Sequence, residues 1–214
     1  MYPPEPAVRR SPALPPVVKA VLLLNGLVYL AQQVIGDPLA MHFALWPLGV
    51  PQEIAPGFQI WQLLTYSVLH GNLLHLFTNM FAMWMFGMQI EYLWGSRLFA
   101  VYYLICVLGA GLVQLVVATL AAEGGDIYPT IGASGGVFGV LLAFGMMFPN
   151  QRIVLLFPPI PMKAKWFVIL YGAFELYAGI TGTLSGVAHF AHLGGMLFGL
   201  VLILYWRRQV PRLR

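Results

Sequence analysis

Residues 98–121 read LFAVYYLICVLGAGLVQLVVATLA, twenty-four positions without one charged side chain. A helix needs about 20 mostly apolar residues to cross the hydrocarbon core of a bilayer, and this run meets that length. Five further stretches read the same way, at about 17–35, 65–92, 132–149, 166–182 and 187–206. The whole chain agrees with its centre: 60% of its 214 residues are hydrophobic and 8% are charged, against about 25% charged in ordinary soluble domains. A soluble globular domain is excluded. The single cysteine excludes a disulfide scaffold, and the hydrophobicity excludes a disordered chain. Only helices and closed barrels span bilayers, and a barrel needs short strands of alternating polarity, which these continuous runs do not show. The expected fold is all-α, a polytopic bundle of six transmembrane helices, with residues 17–207 as one membrane domain.

Outside that domain the sequence changes character. Residues 1–16, MYPPEPAVRRSPALPP, are too proline-rich for a helix ladder and read as a flexible tail, and 208–214 read as a short basic tail. The run from Val17 is long for a cleaved signal, and no small-x-small site follows it. Residues 36–60 carry Pro38, Pro47, Pro51 and Pro56 but keep Phe43, Leu45 and Trp46, so they are expected at the membrane interface.

Every basic residue falls between spans in one alternating set of loops. Arg9, Arg10 and Lys19 open the first span; Arg97 follows the second; Arg152, Lys163 and Lys165 lie between the fourth and fifth; Arg207, Arg208, Arg212 and Arg214 close the sixth. The opposite loops hold no Lys or Arg. By the positive-inside rule both termini are expected to be cytoplasmic. Division of the charge among separate loops argues against nucleic acid as a partner and for a lipid bilayer. Short tails without further domains fit a bacterial cytoplasmic membrane better than a eukaryotic organelle.

The informative residues are polar groups that hydrocarbon should not tolerate. Span two enters from the outer side as TYSVLHGNLLHLFTNMFAMWMFG, with His70, His75 and Asn79; the last two, at i and i+4, share a face. Span four enters as TIGASGGVFGVLLAFG with Ser134 near its start, and span six as VAHFAHLGGMLFG with His189 and His192. Taken singly, each has a plain structural use: a serine that bonds its own backbone, a histidine that anchors a helix end, glycines that let helices pack. Taken together, they bring Ser, His and Asn from three helices to a similar shallow depth.

That set supports nucleophilic catalysis. Serine needs a base within hydrogen-bond reach, which neutral histidine supplies. Attack on a peptide carbonyl then creates an oxyanion, for which His75, Asn79 and the free N–H groups of the first turn of span four are suitable donors. The remaining carboxylates do not complete a triad: Glu91 is expected at the cytoplasmic end of span two and Glu175 about halfway through span five, neither placed to orient His189. A Ser134–His189 dyad is the expectation. Such chemistry requires no cofactor. No metal is expected either, because His75, His189 and His192 have no carboxylate or thiolate to complete a set, and Cys106 lies far along span three.

Three motifs in this order resemble those of the rhomboid intramembrane serine proteases: H-x4-H-x3-N (His70, His75, Asn79), G-x-S-G (Gly132, Ser134, Gly135) and A-H-x-x-H-L-G-G (His189, Gly194, Gly195). The resemblance implies Ser134 as nucleophile, the first histidine of the third motif, His189, as base with His192 as a neighbour, and His75, Asn79 and the backbone of Ser134 and Gly135 as the oxyanion site. It implies transmembrane proteins as substrates, a structural role for Glu91 in the cytoplasmic-end network, a mobile span five and an active site near the outer face. Two positions depart from the best-known pattern. Trp61, in the loop before span two, is followed by Gln62 rather than arginine, and Phe138 stands where some members stack a tyrosine on the catalytic histidine. Relatives that lack part of the dyad are non-catalytic binding or chaperone proteins; both dyad residues are present here. A small proton-relaying transporter would be expected to show internal repeats, and none is evident.

Overall fold

The computed structural model describes residues 13–154, 160–183 and 186–209. The two expected tails therefore lie outside the described residues except at 13–16 and 208–209. The chain is helical almost throughout, and its first helix shows how the bundle is tied together. Helix α1 (Pro16–Ile35) has proline at its first position, where the missing N–H costs nothing, and stops at Gly36, whose φ of 73° no β-carbon favours. Its first-turn N–H groups are satisfied from far along the chain: Val17 and Val18 donate to Glu91 Oε1 and Oε2 at 2.9 and 2.8 Å. Ser96 Oγ donates to the same carboxylate at 2.7 Å. A negative group at the positive end of a helix dipole is favourable, which explains a buried, unpaired-looking glutamate. Leu23, Leu27, Leu30 and Val34 on the same helix are exposed, the apolar outside that lipid covers.

After α2 (Asp37–Phe43) the chain turns inward, burying Ala44, Leu45 and Trp46. Span two differs from the expectation of one helix over 65–92. Helix α3 (Gln62–Thr65) runs into a 3₁₀ turn (Tyr66–Val68), residues 69–72 leave the helix, and α4 (Leu73–Ala82) starts afresh. The break has a local cause: the Asn72 side chain accepts the His75 N–H at 2.8 Å, a helix-start cap that defines a new N-terminus. A π-turn (Met83–Gly87) joins α4 to α5 (Met88–Trp94). Gly95, at φ 82°, reverses the chain into α6 (Ser96–Glu123). Helix α7 (Ser134–Met147) is shorter than the expected 132–149, because Thr130 stays extended to exchange two backbone bonds with Leu45 at 2.9 and 3.0 Å. A two-stranded hairpin, β1 (Arg152–Val154) with β2 (Pro161–Lys163), leads to α8 (Ala164–Thr181), and α9 (His189–Gln209) closes the described chain.

Helices α1, α6 and α9 are each long and apolar enough to cross a membrane alone, whereas α7 is short. Its position explains that: ten of its fourteen residues are buried, so it is the central helix and the others surround it. Close approach is made by glycine. Gly135 abuts Ala110 of α6, Gly136 abuts Tyr103 and Val107, and Gly139 abuts Cys106 and the Gly195 carbonyl. On α9, Gly194 faces Ala110 and Val113, and Gly195 lies against the Gly135 carbonyl so closely that a β-carbon would overlap it. Without hydrophobic drive between helices in lipid, such contact supplies the packing energy that holds them.

Candidate active site

Ser134 is the first residue of α7, so its backbone N–H and that of Gly135 have no carbonyl within the helix to bond. The turn that delivers it depends on Gly132, which has φ 126° and lies so close to the His75 ring that a β-carbon would stand 2.7 Å from Cε1. Its N–H donates to the Tyr66 carbonyl at 2.9 Å, tying the turn to the start of span two.

The histidine that meets the serine is His192, not His189. His192 Nε2 lies 2.8 Å from Ser134 Oγ, with Nδ1 2.8 Å from Glu175 Oε2. The expectation of a Ser134–His189 pair is thus corrected, and the cause is helix phase. His192, Gly195 and Gly199 stand at i, i+3 and i+7 on the face of α9 that packs against α7 and α6, while His189 lies on the face that meets Gly179 of α8. The ring of His189 instead reaches Glu175 Oε2 through Nδ1, at 2.7 Å, and the Thr183 carbonyl through Nε2, at 3.0 Å. Phe138 also packs on the other histidine: its ring stacks on His192 at 4.1 Å between centroids and 4° between planes, and touches Tyr171 at 5.0 Å.

Glu175 is the residue that sequence reasoning set aside. It lies between Gly172 and Gly179 on one stripe of α8, and those glycines contact Met196, Phe190 and His189 of α9. The stripe was readable, since i−3 and i+4 glycines mark the close-packed face and a carboxylate on that face must find a partner. The expectation that Glu175 is not placed to orient a histidine of α9 is thus corrected, since its carboxylate meets both rings. The ligand atoms of Glu175, His189 and His192 lie within 4.8 Å of one another, a spacing that can hold a cation, with His75 outside the group. Here Glu175 Oε2 bonds both histidines, which do not bond each other.

The remaining expected residues divide. His75 and Asn79 line a cavity of about 1110 Å³ together with Ser134, Phe138 and His192. This cavity reaches between α4 and α8, where Phe86, Phe167 and Tyr171 make its wall apolar. Asn79 Nδ2 donates to the His75 carbonyl at 2.8 Å, which fixes its side chain on the helix while the second amide hydrogen is left for another acceptor. His70 stands behind the site, 2% exposed, ring edge towards His75 at 5.0 Å, with its backbone held by Gln32 at 3.0 and 3.2 Å. Trp61 is not part of the cavity lining; it is 43% exposed, its indole bonds the His42 carbonyl at 3.2 Å, and its ring stacks on His42. Gln62 takes the organising role in that loop. Its Oε1 accepts from Trp46 and Gln59, and its Nε2 donates to the His42 and Gly57 carbonyls.

The family model described as Rhomboid domain matches residues 57–209, most of the chain and all of this site. Rhomboid protein 1, mitochondrial, of Saccharomyces cerevisiae is 32% identical over 148 residues, 68% of this chain and 41% of that protein. Rhomboid protease GlpG of Photorhabdus laumondii is 26% identical over 201 residues, 91% of this chain and 62% of the relative. Presenilin-associated rhomboid-like protein A, mitochondrial, of Danio rerio is 30% identical over 155 residues, 69% and 39% respectively. The chain spans less than two thirds of the length of each.

Proposed function

Because this chain belongs to the rhomboid family, we propose that it is an intramembrane serine endopeptidase, acting on the transmembrane segments of other membrane proteins. The observation that carries the reading is the 2.8 Å contact between Ser134 Oγ and His192 Nε2. His192 takes the Ser134 proton as Oγ attacks the scissile carbonyl carbon. The tetrahedral intermediate collapses when His192 passes that proton to the leaving amine, releasing one fragment and leaving the other as an ester on Ser134. Water, deprotonated by His192, then cleaves the ester and restores the serine. The oxyanion forms on the cavity side, where the His75 ring, the Asn79 amide and the N–H groups of Ser134 and Gly135 are the available donors. Phe138 holds the His192 plane by stacking.

Substrate reaches the site through the cavity between α4 and α8, whose apolar wall suits a lipid-bathed segment. A helix hides its carbonyls, so the cleaved region must unwind, and Gly or Pro near the scissile bond favours cleavage. The termini and the basic loops face the cytoplasm and the site lies towards the other face, by the positive-inside rule.

The test is cleavage of a single-span protein with a Gly-containing outer segment by purified, detergent-solubilised wild type, Ser134→Ala and His192→Ala. Cleavage by wild type alone supports the reading, and equal cleavage by Ser134→Ala overturns it. A serine-reactive fluorophosphonate separates an enzyme awaiting its substrate from a non-catalytic binding protein: Ser134-dependent labelling supports the former, and its absence in the folded wild type overturns the proposal.

A further inference from the structure

Behind Ser134, three buried side chains meet at a single oxygen. Glu175 Oε2 is 2.7 Å from His189 Nδ1 and 2.8 Å from His192 Nδ1, and the three residues are 3%, 6% and 7% exposed. Among the described residues the two histidines are the ion-pair partners of this carboxylate. An ionised carboxylate only accepts hydrogen bonds, so both Nδ1 atoms facing it carry protons. The other nitrogen of each ring meets a different kind of group. His192 Nε2 faces a hydroxyl, which can donate to a bare nitrogen. His189 Nε2 faces the Thr183 carbonyl, which only accepts. His189 therefore stands between two acceptors and satisfies both only with a proton on each nitrogen. His192 satisfies its partners with one proton, on Nδ1.

We propose that Glu175 is a positioning residue and His189 its fixed counter-ion, the two together holding His192 with Nδ1 protonated and Nε2 bare towards Ser134. The proposal rests on the reading of Ser134 and His192 as nucleophile and base, and it extends the pair to a chain of four: Ser134, His192, Glu175, His189.

Each member has a reason to be present. A lone carboxyl in a low-dielectric interior takes up a proton rather than stay charged. As a neutral acid, Glu175 could donate to His192 Nδ1, which would drive the imidazole proton onto Nε2 and point an N–H at the serine, the wrong tautomer for a base. An imidazolium at His189 keeps the carboxylate ionised, and the pair has no net charge, which a membrane interior tolerates far better than a single ion. The Thr183 carbonyl completes the arrangement by accepting the outer proton of His189. Among the described residues, the other titratable groups beside this chain are Tyr171, one turn before Glu175 on α8, and, lining the cavities next to His192 and His189, His75 of α4, Asp126 and Tyr128.

The prediction is read without any substrate. The full chain, labelled with ¹⁵N at its five histidines and held in detergent at neutral pH, is examined by NMR, each signal being assigned by its loss in a single His→Gln variant. One imidazole, His189, is expected to carry protons on both nitrogens and to become singly protonated in Glu175→Gln. His192 is expected as the Nδ1–H form in wild type and as a mixture of tautomers in Glu175→Gln. A singly protonated His189, or a His192 tautomer indifferent to Glu175→Gln, overturns the proposal, whether or not the chain proves to be a protease. With cleavage established, Glu175→Gln should lower kcat by about 10²- to 10⁴-fold, the range of general-base catalysis whose upper end a wrong imidazole tautomer reaches, with KM little changed, and Glu175→Asp should recover part of the loss. An unchanged kcat in a folded Glu175→Gln also overturns it. If Glu175→Gln does not fold, the wild-type spectrum and Glu175→Asp decide.

Discussion

Gly195 of α9 lies directly against the carbonyl of Gly135 of α7, one residue beyond Ser134 and three beyond His192. The distance between serine and histidine is therefore determined by two touching backbones rather than by long side chains. Gly195→Ala should separate the helices, because its methyl overlaps the Gly135 carbonyl. Overpacking of this kind costs about 1–3 kcal/mol, and the expected outcome is a lower unfolding temperature in detergent together with a larger loss of fluorophosphonate labelling. Unchanged labelling would mean that the backbone contact does not govern the site.

The two histidines of α9 should differ sharply on substitution. His192→Gln removes the base, and a loss of about 10³-fold or more in kcat is expected, as when one member of a serine–histidine unit is deleted. His189→Gln removes only a partner of Glu175, so activity should fall but remain above that of His192→Gln. The reverse order, read from initial cleavage rates, would return the base role to His189.

Phe138 lies flat on the His192 ring, with 4° between the planes. Aromatic stacking is worth about 0.5–1.5 kcal/mol beyond burial, so Phe138→Ala should lower kcat roughly 2- to 10-fold while Phe138→Tyr leaves it near wild type. A large loss in Phe138→Tyr would show that the added hydroxyl, and not the ring, matters at this position.

Glu91 acts at the opposite end of the bundle. Glu91→Gln retains the shape but replaces one carboxylate oxygen by an NH₂ group that cannot accept from the α1 backbone, and the expected loss is about 1–2 kcal/mol of stability. Thermal unfolding in detergent should show it, with kcat unchanged below the transition. A drop in kcat at low temperature would connect this end to the site.

Much of this arrangement was legible in the sequence because the membrane makes polar residues conspicuous. The long apolar runs give the helices, and Ser134, His75 and Asn79 were marked by their cost in hydrocarbon. What failed was phase. His189 and His192 are three residues apart, about 60° around a helix, and only the glycines at 195 and 199 reveal which of them faces α7. Glu175 is hidden for the same reason: its depth along α8 does not show its partner, and only the stripe it shares with Gly172 and Gly179 marks the face that meets α9. The start of span two was hidden by continuous hydropathy, since Tyr66, Val68 and Leu69 look like helix interior. The Asn72 cap is the local signal that divides them from α4.

The reach of Glu91 also bears on the order of assembly. Val17 and Val18 wait for an acceptor that is 73 or 74 residues further along the chain. During synthesis, which proceeds from the N-terminus, α1 is made before α5 and has no side-chain cap of its own at that end. Until α5 arrives, its first-turn N–H groups depend on water and lipid headgroups. Helix α1 is thus seated late, and the junction of α5 and α6 serves as the latch that closes on it.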